Sequence, residues 1–182
     1  MNHPELILRT LDRNLATSTR LILYGRAALA LGFKHPQPQF HATMDVDAIL
    51  PEVEMSAIEA DDSFWDAIEK TNEQLESTGL YITHLFSDSQ VILSPDWLKS
   101  IVPIPLPNLR FLRLFRPSTS DLILTKMMRI DPQDRSDIEF LIQQPDFDPD
   151  AFPARLKAAR IPDIPDIHQS FDHYKKWLDS RI

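Results

Sequence analysis

LYGRAALALGF, residues 23–33, holds two of the chain's three glycines. Apolar residues run up to Gly25, and a stretch rich in alanine and leucine, both strong helix formers, begins just after it. The segment therefore reads as strand, sharp turn, helix. A glycine at such a turn lets backbone N–H groups at a helix start approach a phosphate. The next residue, Arg26, is large and charged, so the purpose of the turn depends on what lies opposite it.

Working outward, PELILRTLDRNL sets Leu8, Leu11 and Leu15 at helical spacing, and RLILY reads as a strand leading into the turn. Downstream, KHPQPQFHA (34–42) is a proline-broken loop and TMDVDAIL (43–50) a strand. The spacing predicts one long helix from Ser56 to Ser77, with Phe64, Ile68 and Leu75 on one stripe and Gly79 ending it. LYITHLF and LRFLRLF read as further strands, separated by a proline-punctuated segment containing PDWLKSIVPIPLP. From Pro117 the pattern is helical: Ser118 and Asp121 have capping-box spacing, and Asp134 with Asp137 is read as the same capping device repeated. Ile167, Phe171, Tyr174 and Leu178 share a face of the closing helix. The expected class is α/β (α+β): a mixed sheet flanked by helices over residues 1–116 and a helical C-terminal part, 117–182, packed on it, one compact domain overall.

Nineteen Lys and Arg against 27 Asp and Glu give a formal charge of −8. Such a surface repels phosphate backbones on average and excludes bulk DNA or RNA binding through counterion release. The absence of cysteine removes thiolate catalysis, Cys-ligated zinc and disulfide frameworks. No apolar run approaches the roughly 18 residues of a membrane span, and the N-terminal residues lack the uninterrupted apolar core of a signal peptide. A cytoplasmic location is expected. Zinc-hydrolase, nucleophile-elbow, Walker-type and dinucleotide motifs are all missing from the sequence.

The chemistry begins at TMDVD. Alternate residues of a strand share a face, so Thr43, Asp45 and Asp47 point one way and Met44, Val46 and Ala48 the other. Two carboxylates about 6.6 Å apart along a strand rise of about 3.3 Å per residue can share a divalent ion. Without a cation they repel, an arrangement that costs stability. The alternative is a half-exposed strand whose outer face is simply acidic.

A strand ending in Gly25, a helix opening at the turn, and a strand bearing Asp45-x-Asp47 after 19 intervening residues together resemble the nucleotidyltransferase fold. The segment FRPSTSDLILTKMMRIDPQDRSDIEFLI (115–142) is similar to one in bacterial nucleotidyltransferase-like proteins related to abortive-infection toxins of the type IV toxin–antitoxin class. The resemblance implies that the Gly25 turn holds a nucleoside triphosphate and that Asp45 and Asp47 hold Mg²⁺. It matches Lys126 and Arg129 to a basic pair that neutralises phosphate charge, and Asp134 and Asp137 to an acidic pair. A solvated helix face is the other reading of Lys126 and Arg129; for the two aspartates N-capping is favoured.

The implied activity is transfer of a nucleotidyl group from an NTP to an RNA, protein or small-molecule hydroxyl, in a toxin–antitoxin setting with a cognate toxin or antitoxin protein. Two departures support the alternative, a catalytically silent module of the same fold that binds a partner protein. Arg26 stands where the family has glycine or serine, either lying across the aspartates as an internal cation or meeting phosphate itself. A third acid on a later strand is also missing, since LYITHLF offers only His84, and Asp88 lies just beyond it.

Overall fold

The computed structural model describes residues 2–181. The first helix, α1 (His3–Asn14), is set by Asn2, whose side chain accepts the Glu5 N–H at 2.8 Å and so satisfies an otherwise orphaned donor. Its apolar face buries Ile7, Leu8 and Leu11 completely. The following strand β1 (Thr19–Tyr24) runs into α2 (Gly25–Leu31), the strand, turn and helix read from LYGRAALALGF. The proline-broken loop carries a short 3₁₀ turn, Pro38–Ala42, that buries Phe40. Then comes β2 (Asp45–Leu50), with Val46 and Ala48 buried and Asp45 and Asp47 half-buried, as the alternation requires.

The helix expected over 56–77 is two helices, α3 (Met55–Glu59) and α4 (Asp62–Leu75). Asp61 causes the break: it leaves helical geometry (φ −92°, ψ 79°) and its carboxylate accepts the Phe64 N–H at 3.1 Å, starting a new helix. Phe64, Ile68 and Leu75 are buried on one stripe, and Gly79 closes the segment with φ +69°, a left-handed geometry that favours glycine. Three strands follow: β3 (Tyr81–Ser87), the two-residue β4 (Val102–Pro103) and β5 (Leu112–Arg116).

The five strands form one mixed sheet in the order β3-β2-β1-β5-β4. β1 pairs antiparallel with β2 and parallel with β5; β2 pairs parallel with β3, and β4 antiparallel with β5. Asp12 at the end of α1 fastens the helix to the start of β5. Its carboxylate accepts the backbone N–H groups of Arg110, Phe111 and Leu112 at 2.7–2.8 Å. The second glycine of the opening stretch is also explained, because a Cβ on Gly32 would lie 2.5 Å from Cδ of the buried Arg116, whose Nε donates to the Gly32 carbonyl.

The chain divides into two compact units: residues up to Ser87 together with Ile101–Arg116, and Asp88–Ser100 together with the chain from Pro117 onward. The second unit is helical, with α5 (Thr119–Thr125), α6 (Pro132–Leu141), α7 (Phe152–Ala158) and α8 (Pro165–Leu178). Ser118 caps α5, accepting the Asp121 N–H, as its spacing predicts. Asp121 is fully buried and draws in the 88–100 segment by accepting the Ser94 N–H at 2.9 Å, with Arg155 as its counter-charge at 3.1 Å. Ile167, Phe171, Tyr174 and Leu178 form the buried face of α8. The cap of α6 differs from the expectation: Asp131 accepts the Gln133 N–H at 2.7 Å and takes that role, which leaves Asp134 and Asp137 for another. No helix among the described residues is long and apolar enough to cross a membrane.

Candidate metal centre

Antiparallel pairing places Tyr24, the last residue of β1, opposite Asp47. Gly25 therefore begins α2 directly beside the Asp47 side chain. It adopts φ +64°, and a Cβ built there would stand 3.0 Å from Asp47 Oδ2. The glycine thus serves two needs, a left-handed turn and room for a carboxylate against the backbone. Tyr24, the N-cap residue of α2, makes no side-chain capping bond. Arg26 is half-buried, with its guanidinium carbon 5.6 Å from the centre of the Phe40 ring, a cation–π distance.

On the other side of β2 the register carries the decisive feature. Val46 pairs with Ile82 and Ala48 with Leu85, so Thr83 and His84 together stand opposite the single residue Asp47. This is a β-bulge, rare between parallel strands, and it turns side chains that strict alternation would send to opposite faces toward the same partner. Both reach the carboxylate: Thr83 donates from Oγ1 to Asp47 Oδ1 at 3.3 Å, and His84 Nδ1 lies 3.1 Å from the same oxygen. The imidazole stacks on Phe86, with ring centres 5.1 Å apart and planes 12° from parallel, which fixes its plane. On α4, the Asn72 side chain accepts the Ile82 N–H at 2.7 Å and donates to the Ile82 carbonyl at 3.0 Å, pinning the edge strand one residue before the bulge.

Asp45 completes the cluster. Its Oδ1 accepts a hydrogen bond from Thr43 Oγ1 at 2.8 Å. One ligand atom each from Asp45, Asp47 and His84 lies within 4.8 Å of the others. Burial, and next the neighbouring Asp45 charge, push the Asp47 carboxyl above the usual aspartate range, against the opposing pull of His84 and Thr83. A pair of carboxylates that resist joint ionisation is chemically suited to a divalent cation, and oxygen donors suit Mg²⁺. The residues present therefore fit a metal.

The basic and acidic pairs sit in the second unit. Lys126, in the 3₁₀ turn that follows α5, is 7% exposed and donates to Asp134 Oδ1 at 3.0 Å and to Asp137 Oδ2 at 2.7 Å. Arg129 donates from Nε to Asp134 Oδ2 at 2.6 Å and keeps 65% of its side chain exposed. The acidic pair thus receives the basic pair, a buried ionic cluster rather than two helix caps. Asp88, weighed in the sequence as a third acid, belongs to the same unit, where its Oδ2 accepts the Trp97 indole N–H at 2.9 Å.

The sheet, the glycine turn and the paired aspartates on the next strand define a nucleotidyltransferase-like protein. Residues 6–168, most of the chain, match the family described as nucleotidyltransferase of unknown function (DUF6036), and the chain belongs to it. No curated protein and no solved structure matches the sequence.

Proposed function

We propose that this chain transfers a nucleotidyl group from a metal-bound nucleoside triphosphate to a hydroxyl of an RNA, a protein or a small molecule. The observation that carries the reading is the convergence of the Asp45 and Asp47 carboxylates beside the Gly25 turn, on a chain of nucleotidyltransferase family. In the reaction the acceptor oxygen bonds to the α-phosphorus, the bond to the β-phosphate oxygen breaks, pyrophosphate leaves, and the hydroxyl proton passes to water. Asp45 and Asp47 would hold Mg²⁺, which when bound would supply charge neutralisation to the phosphates. The Gly25 turn and Arg26 meet the triphosphate, Arg26 supplying a charge-assisted contact. Of the pair matched to phosphate by family resemblance, Arg129 has the exposed guanidinium while Lys126 holds Asp134 and Asp137. The type IV toxin–antitoxin resemblance points to a cognate partner protein.

Incubation with Mg²⁺ and each α-³²P-labelled triphosphate, alone and with total tRNA, tests the reading. Label is expected on RNA or protein, and Asp45→Asn/Asp47→Asn should abolish it. Nucleotide binding without transfer to any acceptor would instead favour the silent, partner-binding module.

A further inference from the structure

We propose that His84 is a third metal ligand beside Asp45 and Asp47, making a centre of two carboxylates and one imidazole whose preference is tilted from Mg²⁺ toward Mn²⁺. The inference rests on the metal reading above and deepens it. It starts from the bulge. A regular strand would turn His84 to the face that carries Ile82, which is buried, and leave only Thr83 facing Asp47. The extra residue re-aims the imidazole at the carboxylates, and Asn72 fixes where the irregularity falls by holding both backbone groups of Ile82.

Geometry agrees with a shared ion. An octahedral cation with bonds of about 2.1 Å holds neighbouring donors about 3.0 Å apart and opposite ones about 4.2 Å apart. His84 Nδ1 and Asp47 Oδ1 are already 3.1 Å apart, and all three ligand atoms lie within 4.8 Å. The remaining closure falls to His84, whose side chain is 56% exposed against 20% for Asp47 and so has room to move. The Phe86 stack leaves this movement within the ring plane.

The donor set then decides selectivity. Mg²⁺ is a hard ion that takes oxygen and keeps much of its water, whereas imidazole nitrogen is a ligand of first-row transition ions, and Mn²⁺ accepts both donor types. Replacing an oxygen position by nitrogen therefore raises affinity for Mn²⁺ relative to Mg²⁺. The family's usual third carboxylate would give no such tilt. His84 answers the missing-acid question as a ligand rather than as a base.

Electron spin-echo spectroscopy of Mn²⁺ bound to the whole chain reads the ligand directly. Wild type should show coupling to one directly bound nitrogen, lost in His84→Asn while Mn²⁺ is still bound. Calorimetric titration should show Mn²⁺ affinity falling roughly tenfold or more in His84→Asn, the scale set by losses of ligand-orienting groups, with Mg²⁺ affinity changed far less. Asp45→Asn/Asp47→Asn should bind neither ion. Mn²⁺ bound by wild type with no nitrogen coupling, or coupling that persists in His84→Asn, overturns the His84 assignment and leaves a two-carboxylate site. Absence of Mn²⁺ and Mg²⁺ binding in wild type, with or without nucleotide, overturns the metal centre itself.

Discussion

The Asn72 side-chain amide and the Ile82 backbone exchange two hydrogen bonds, of 3.0 and 2.7 Å, one residue before the bulge that aims Thr83 and His84 at Asp47. β3 is the edge strand, and Asn72 covers its open side at the one position where a slip in register would turn His84 away. Asn72→Ala leaves the Ile82 N–H without that acceptor and should cost about 1–2 kcal/mol. Urea denaturation measures the loss. Amide exchange should quicken at Ile82 and His84 before the rest of the sheet, and a uniform change across all strands would mean that Asn72 does not localise the bulge.

Gly25 and Asp47 form a second coupled pair. Gly25→Ala places a Cβ 3.0 Å from Asp47 Oδ2 and forces a left-handed backbone on an L-residue. The backbone term alone is about 1–2 kcal/mol, and crowding of the carboxylate adds to it. In Gly25→Ala/Asp47→Ala the crowding is gone while the backbone strain stays. A double-mutant cycle in thermal denaturation should therefore give a coupling of the sign that relieves strain, and strict additivity would remove the contact from the explanation.

Asp47 also makes stability depend on pH in a stated direction. Burial and the Asp45 charge raise its proton affinity in the folded chain, so the folded state binds that proton more tightly than the unfolded state. Its effect on stability is absent below the unfolded aspartate value and becomes an increasing cost as pH rises through the raised folded value. Asp47→Asn removes the cost. In metal-free buffer its Tm should exceed that of wild type at pH 7, and the difference should shrink as pH falls toward 4. A gain that grows on acidification has the wrong sign.

Asp12 runs the other way. Burial pushes its carboxyl up, but the N–H groups of Arg110, Leu112 and Phe111, helped by the Arg113 charge, outweigh that and hold it below the usual range. Its stabilisation is complete above the unfolded aspartate value and is lost as pH falls through the folded one. Asp12→Ala orphans three N–H groups at the start of β5 and should cost about 3 kcal/mol or more at pH 7. The difference from wild type in urea denaturation should narrow in acid.

What the sequence revealed and what it hid follow from the range of the rules involved. The turn at Gly25 and the shared face of Asp45 and Asp47 were legible because turn geometry and strand alternation are local. The break at Asp61 had a local signal as well, an aspartate three residues before Phe64, but the longer stripe of Phe64, Ile68 and Leu75 masked it. The bulge had none. It depends on how β3 registers against β2 and on Asn72 reaching from another element, so periodicity placed His84 in a strand without saying which way it faces. Thr83 and Asn72 belong to no motif. Lys126 was read from its own helix as a solvated or phosphate-facing cation, because the carboxylates 8 and 11 residues away stand on the next helix, beyond the three- and four-residue reach of side-chain pairing within one helix.

Those carboxylates give the Lys126 cluster its own test. The ammonium is almost fully buried and lies between Asp134 and Asp137, themselves 3% and 0% exposed. Taking three charges out of water is expensive, and only their mutual contacts offset it. Lys126→Met keeps the length of the side chain but leaves two buried like charges without their cation, which should cost about 3–5 kcal/mol. Neutralising the aspartates as well, in Lys126→Met/Asp134→Asn/Asp137→Asn, should restore much of that loss, because no uncompensated buried charge is left. Arg129→Ala removes a mostly exposed partner and should cost at most about 1 kcal/mol. Chemical denaturation of the four chains separates the cases: if Lys126→Met is as stable as wild type, the buried cluster is not what holds this part of the fold. Nucleotide titration of Arg129→Ala then tests the phosphate contact that the family resemblance implies for it, with weakened binding the expected result and unchanged binding removing Arg129 from the nucleotide site.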